Sequence, residues 1–278
     1  MRRLLAALGL IGLLSPAFAA DYELPTLRGS EMFVPAYPTY FSWQGFYVGG
    51  QLSYISASAN FSAATQPLIA FSLRQTAVLA VAAPDQWPVL GTRDTGAAGF
   101  GGFLGYNIQW DDAIIGLEFN YTHSSLDAVA SSSPLARRVV ANGLTYDVAL
   151  DASGSLRISD FATTRTRFGW AIGNFMPYAT LGLAFGRADV ALTTNVFGTQ
   201  TGPNPNPPPA NQVVPFSFTQ GQSKNGAYLY GFSGGAGLDF ALTQNIFARG
   251  EYEFIEWQKF WSITSSMHNF RAGLGVKF

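Results

Sequence analysis

The residues best suited to chemistry are carboxylates and arginines that recur at every second position. Glu251 and Glu253 share one face of an alternating segment, and two carboxylates so placed are what general acid/base work requires. Arg249 shares their face, and Glu118, Arg165, Arg167, Asp239 and Arg271 hold the matching position in other alternating segments. A buried charge is tolerable only where it is paired and hydrogen-bonded. A closed set of both signs meets that demand, so these eight read as a structural charge network rather than an acid/base pair. His123, Ser125 and Asp127 form a second candidate. They share one face near the end of their segment, and a His-x-Ser on a lipid-facing rim could supply a base and a nucleophile. Nothing in the sequence supplies an oxyanion hole, so the trio reads as ordinary rim polarity. His123 and His268 are the two histidines; they lie far apart and make no metal site. The absence of cysteine excludes thiolate ligation and a disulfide scaffold. Glycine-rich stretches such as Gly45–Gly50 precede no helix and fail the context of a nucleotide loop. No catalytic, cofactor-binding or metal residue is assigned, and no cofactor is expected.

The elements that must position these charges show themselves by period-2 alternation, the mark of a strand whose faces meet different surroundings. In the last segment Phe270, Ala272, Leu274, Val276 and Phe278 point one way, while Arg271, Gly273, Gly275 and Lys277 point the other. Residues 245–256, 227–240 and 112–122 repeat the pattern, and four weaker copies start near Phe46, Phe100, Arg165 and Ala179. Eight strands result, an even number, as in single-chain bacterial outer-membrane barrels. The polar face is mostly Gly and Ser with charges at mid-strand, while the other face is rich in aromatics. Small residues and paired charges suit a narrow filled lumen, aromatics suit lipid, and so the pattern is inside-out. Ten residues at about 3.3 Å each, tilted about 45°, cover roughly 23 Å, close to the apolar band of such barrels.

The connections alternate in length. Short turns are expected at Gln109–Asp112, Gly173–Pro177 and Thr243–Asn245, and long loops at about 62–95, 127–155 and 194–224, with a shorter one at 259–267. Every proline after Pro38 is expected in a loop or turn, because a strand interior needs its ladder donors. The expected fold is therefore an all-β, eight-stranded antiparallel transmembrane β-barrel with short periplasmic turns and long extracellular loops, both termini being periplasmic.

Composition agrees. Of 278 residues 12% are charged and 15% aromatic, with 30 glycines and a net charge of −1. Soluble domains carry about 25% charged residues. After the first 20 residues no apolar run of about 18 residues occurs, which excludes a helical membrane protein. The charge balance offers nucleic acid no basic patch. At the start, Met1-Arg2-Arg3, the apolar Leu4–Leu14 and Ala17-Phe18-Ala19 have the form of an export signal, expected to be cleaved after Ala19. Residues 1–19 are thus the signal peptide, 20–42 an extended periplasmic lead with Pro25, Pro35 and Pro38, and 43–278 the barrel.

Trp43-Gln44-Gly45-Phe46-Tyr47-Val48-Gly49-Gly50 resembles the W-x-G-F-Y-V-G-G opening of the alphaproteobacterial outer-membrane immunogenic protein family, small porin-like barrels. The Gly-rich second strand, the Arg165-Thr166-Arg167 of the fourth strand and the Arg249-Gly250-Glu251-Tyr252-Glu253 of the seventh are similar to it as well. The closing strand, with Phe270, Leu274, Val276 and Phe278, resembles the C-terminal signal read by the barrel assembly machinery. The resemblance covers about 43–278 and implies an eight-stranded, surface-exposed barrel of the cell outer membrane, in contact with its lipid and lipopolysaccharide.

Eight strands enclose an interior only just wide enough for side chains to fill, and open channels belong to barrels of about 16–18 strands. With Tyr47 and Phe103 also candidates for the lumen, a plugged, non-enzymatic barrel serving envelope integrity is expected. The alternatives are a small porin-like channel for ions or small solutes, and a surface binding module acting through the long loops. Phe71, Leu73, Trp87, Phe216 and Phe218 in those loops are apolar groups that could bind a partner or fold onto the rim. The run Pro203–Pro209 reads as a stiff polyproline II spacer.

Overall fold

A computed structural model of the chain describes residues 41–203 and 211–278. The signal peptide, most of the lead and most of the proline run lie outside the described residues. Within them, nine strands carry nearly all the structure: β1 (Gly45–Asn60), β2 (Thr92–Trp110), β3 (Ala113–Ser131), β4 (Leu135–Ala141), β5 (Leu144–Trp170), β6 (Phe175–Pro203), β7 (Asn211–Ala241), β8 (Ile246–Phe260) and β9 (Ile263–Lys277). Two short helices, α1 (Gln66–Leu73) and α2 (Ala77–Ala82), lie between β1 and β2.

The sheet runs β3-β2-β1-β9-β8-β7-β6-β5-β4, and β3 also pairs with β5. That extra pairing closes a ring of eight antiparallel strands and leaves β4 as an arm attached to β5 alone. Closure between the first and last ring strands runs from Tyr47 opposite Lys277 to Asn60 opposite Thr264. A closed ring pairs every backbone donor and acceptor inside the sheet, which is what lets strands cross a bilayer.

Outward residues form a band of exposed apolar side chains, among them Leu52, Phe100, Leu117, Leu181, Phe232 and Leu274. A soluble monomer exposes no apolar patch on this scale; on this barrel the band faces lipid. Inward residues fill the ring, and glycine makes the filling possible. A Cβ on Gly49 would lie 2.5 Å from the Leu274 carbonyl oxygen and inside the Phe103 ring, and one on Gly237 would sit 2.4 Å from Tyr178 Cζ. The glycines thus mark the sites of close approach between wall and large inward side chains.

At the extracellular end the fold departs from the expected loops. β5, β6 and β7 have 27, 29 and 31 residues, two to three times the roughly 10 needed to cross the bilayer. Residues 127–155 and 194–224 are therefore mostly strand, not loop. With β4 they form a sheet that stands beyond the membrane. The 259–267 loop is likewise a two-residue turn, Trp261-Ser262, with Phe260 opposite Ile263. Three prolines stand in strands, of which Pro203 is the last residue of β6, opposite Asn211. Pro177 lies at the start of β6 opposite Leu238, and Pro215 lies in the part of β7 beyond its pairing with β8, which spans only Gly231–Ala241. All three places tolerate the missing donor: Pro177 is beside a turn, Pro203 at a strand end and Pro215 on an edge.

The connection between β1 and β2 is shorter than the expected 62–95, since β2 already begins at Thr92, and it folds onto the inner face of the projecting sheet. Ile69, Leu73, Val78 and Trp87 pack with Tyr146, Val148, Leu150 and Val196. Leu73 and Trp87 are thus buried rather than offered to a partner, Phe216 and Phe218 are half-buried against the same cluster, and Phe71 remains exposed.

Candidate functional site

The alternation that builds the wall also aims one charged side chain after another into the lumen. Glu118 on β3, Arg165 and Arg167 on β5, Asp239 on β7, Arg249, Glu251 and Glu253 on β8 and Arg271 on β9 are all buried. Cross-strand register aligns them: Glu118 is opposite Arg165, Asp239 opposite Arg249, and Glu251 opposite Arg271. Four guanidiniums and four carboxylates result, a set with no net charge.

Glu118 is the hub. It accepts from Arg165 at 2.6 Å, Arg249 at 2.7 Å, Arg167 at 3.2 Å, the Tyr47 hydroxyl at 2.7 Å and the Asn120 amide at 2.6 Å. Arg165 spans the lumen, reaching Glu251 at 2.7 Å and Glu253 at 3.0 Å on the far wall. Arg167 and Arg249 both donate to Asp239 Oδ2, at 2.7 and 2.9 Å, and Arg249 Nε adds a bond to Oδ1 at 2.8 Å. Arg271 pairs with Glu253 and donates to Asn120 Oδ1 at 2.7 Å. The side chains of the paired charges are at most 1% exposed. Such geometry repays part of a desolvation cost that isolated charges could not meet.

Aromatics close the periplasmic side. Trp43, Tyr47, Phe103, Met176, Tyr178 and Phe247 form one buried cluster. Arg249 lies 4.0 Å over the Phe103 ring and Arg167 3.8 Å over that of Tyr178, within cation–π range. Trp43 enters from the strand's own lead-in; its backbone N–H donates to Gln109 Oε1 at 2.8 Å and its backbone carbonyl accepts from the Asn107 amide at 3.2 Å. Tyr178, Asn120 and Gln51 join the network without having been singled out in the sequence; each stands on the inward side of the alternation, which is the signal that locates them.

The second candidate fares differently. His123, Ser125 and Asp127 do face outward, but the acid that meets His123 is Asp160 of β5, 2.7 Å from Nδ1, with the Tyr121 hydroxyl on the same oxygen at 2.7 Å. Asp127 stands opposite Arg157, away from the histidine. His268 has its own partner, its Nδ1 lying 2.8 Å from the Tyr252 hydroxyl. Phe270, Leu274, Val276 and Phe278 of the closing strand are all exposed on the outer face.

A closed antiparallel ring with an apolar exterior and a paired-charge interior defines a transmembrane β-barrel of the outer membrane. The comparisons with known proteins place it more narrowly: the chain belongs to the family described as outer membrane protein beta-barrel domain, whose model matches residues 32–278. It is 25% identical over 264 residues to the 25 kDa outer-membrane immunogenic protein of Brucella ovis, covering 94% of this chain and 90% of that protein. It is 24% identical over 276 residues to the protein of the same name from Brucella melitensis biotype 1, covering 94% and 91%. Among solved structures, Neisserial surface protein A matches with a TM-score of 0.36 at 14% identity, covering 84% of this chain and 97% of that one. Ail of Yersinia pestis matches with a TM-score of 0.33 at 12% identity, covering 84% and 99%.

Proposed function

We propose that this protein is a plugged, non-enzymatic barrel that reinforces the outer membrane and displays a rigid sheet at the cell surface. The observation that carries this reading is the neutral charge layer: four arginines and four carboxylates satisfy one another across the lumen, leaving no free charge there to work on a solute. The eight residues act as structural braces that tie β3, β5, β7, β8 and β9 together. Residues 1–19 are removed on export, 20–42 remain in the periplasm, and Phe270, Leu274, Val276 and Phe278 are read by the barrel assembly machinery. The relatives are named immunogenic, and in this chain the projecting β4–β7 sheet is the part that would meet an antibody. The test is a deletion strain assayed for entry of detergent and of large antibiotics. The account expects leakiness that is reversed by the full chain and by a barrel shortened above the membrane. An intact permeability barrier in the deletion strain contradicts it.

A further inference from the structure

Three kinds of inward residue follow one another along the strands in the same order. On β3 the hub Glu118 is followed toward the outside by Asn120, Thr122 and Ser124, and then by Leu126. On β5 the order is Arg165, Thr163, Phe161, and on β9 Arg271, Asn269, Met267. On β1, Gln51 and Ser53 give way to Ile55. The lumen is therefore layered, with the charge layer below, a ring of amides and hydroxyls above it, and an apolar ring above that. Ile55, Leu126, Phe161, Ile255 and Met267 belong to the apolar ring, each at most 3% exposed.

The middle layer is not self-sufficient. Gln51 Oε1, Ser53 Oγ, Ser124 Oγ, Thr163 Oγ1 and both amide atoms of Asn269 are buried without a protein hydrogen-bond partner, and Asn269 itself is 0% exposed. Buried polar groups are almost always satisfied, and where protein does not do it a bound water makes about three such bonds. An amide with both ends open, among hydroxyls that can donate or accept, is a site for water and not for an ion. In the charge layer Arg167 Nε, Arg271 Nε and Glu251 Oε1 also lack a hydrogen bond, but there every open atom belongs to a charge already paired: Glu251 Oε1 lies 2.6 Å from Arg165, and Arg167 and Arg271 reach Asp239 and Glu253 through their other nitrogens.

We propose that the lumen holds a sealed chamber of bound water, lined by Gln51, Ser53, Ser124, Thr163 and Asn269, between two seals in series: the charge layer with the aromatic floor beneath it on the periplasmic side, and the apolar ring on the extracellular side. The inference rests on the plugged-barrel reading and adds to it. An apolar constriction excludes a continuous water column by dewetting, so either seal alone keeps the barrel shut. Opening a path requires breaching both.

Two experiments test this on the full-length barrel, with folding checked by its mobility on unheated gels. In wild-type protein in micelles, the Asn269 side-chain amide protons should show rotating-frame cross-peaks to long-lived water; their absence overturns the chamber. In planar bilayers, Ile255→Ser with Met267→Ser should stay silent, as should Glu253→Gln with Arg271→Gln, which removes one charge of each sign. Conduction by either pair alone overturns the two seals. If a pair does not fold, the wild-type cross-peaks decide. A conducting wild type would overturn the plug itself, whereas a silent wild type with a dry Asn269 overturns only this inference.

Discussion

At the scale of single residues, Glu118 carries the largest share of the charge layer, because three guanidiniums and the Tyr47 hydroxyl converge on its two oxygens. Removing one partner from a buried ionic set leaves uncompensated charge, which typically costs about 3–5 kcal/mol. Glu118→Gln should therefore lower the urea midpoint of refolding into detergent by far more than Asp127→Asn, a change at an exposed outward site. Equal midpoints would show that the charges do not brace the ring. Outside the membrane a different carboxylate reports on the projecting sheet. Arg138 of β4 donates to Asp147 of β5 through Nε at 2.6 Å and a second nitrogen at 3.1 Å. This hydrogen bonding, aided by the guanidinium charge, holds the Asp147 carboxyl below its ordinary value of 3.8. A depressed carboxylate stabilises the fold above its unfolded-state value and loses that contribution as pH falls through the folded one. In a carbon-detected titration Asp147 should protonate at lower pH than a free aspartate, and Arg138→Ala should move it back up. An Asp147 midpoint unchanged by Arg138→Ala would show that the arm is not docked.

At the scale of elements, the turns show where local chemistry and geometry agree and where they conflict. Asn142 and Gly143 join β4 to β5 with φ of 53° and 75°, the left-handed pair that an Asn-Gly hairpin supplies without strain. Trp261 and Ser262 take the same shape, φ 47° and 62°, with side chains that disfavour it. Replacing them by Asn and Gly should raise stability by about 1 kcal/mol, read as a higher urea midpoint; a lower one would mean that the Trp261 ring, stacked on Phe260 at 5.3 Å, holds the hairpin more firmly than the turn strains it. The eight ring strands and their inward charges were legible in the sequence, because within the bilayer apolar side chains face out and polar ones face in. The projecting halves of β5, β6 and β7 were not, and the reason is physical. Beyond the rim the outside is water, so the sense of alternation reverses: Tyr146, Val148, Leu150, Leu156 and Ile158 face in while Asp147, Asp151 and Arg157 face out. A reading tuned to outward aromatics ends each strand at that reversal. Asn142-Gly143 between two alternating runs was the signal that the hairpin continued. The partner of His123 was equally hidden, since Asp160 is 37 residues away and meets it only through the β3–β5 pairing that closes the ring.

At the scale of the whole molecule, the barrel's size and its filling lead to one claim. Eight strands leave room only for side chains, and the side chains present form an aromatic floor, a neutral charge layer and, above it, an apolar ring. Closure joins the wall, charge pairs link β3, β5, β7, β8 and β9 across the lumen, and α1 and α2 pack on the inner face of the sheet beyond it. The measurement that tests this most directly is single-channel recording of the folded wild-type protein, without its first 19 residues, in a planar bilayer. The account predicts a silent membrane at all moderate voltages. Reproducible unitary steps from folded barrel would contradict it and make the protein a pore.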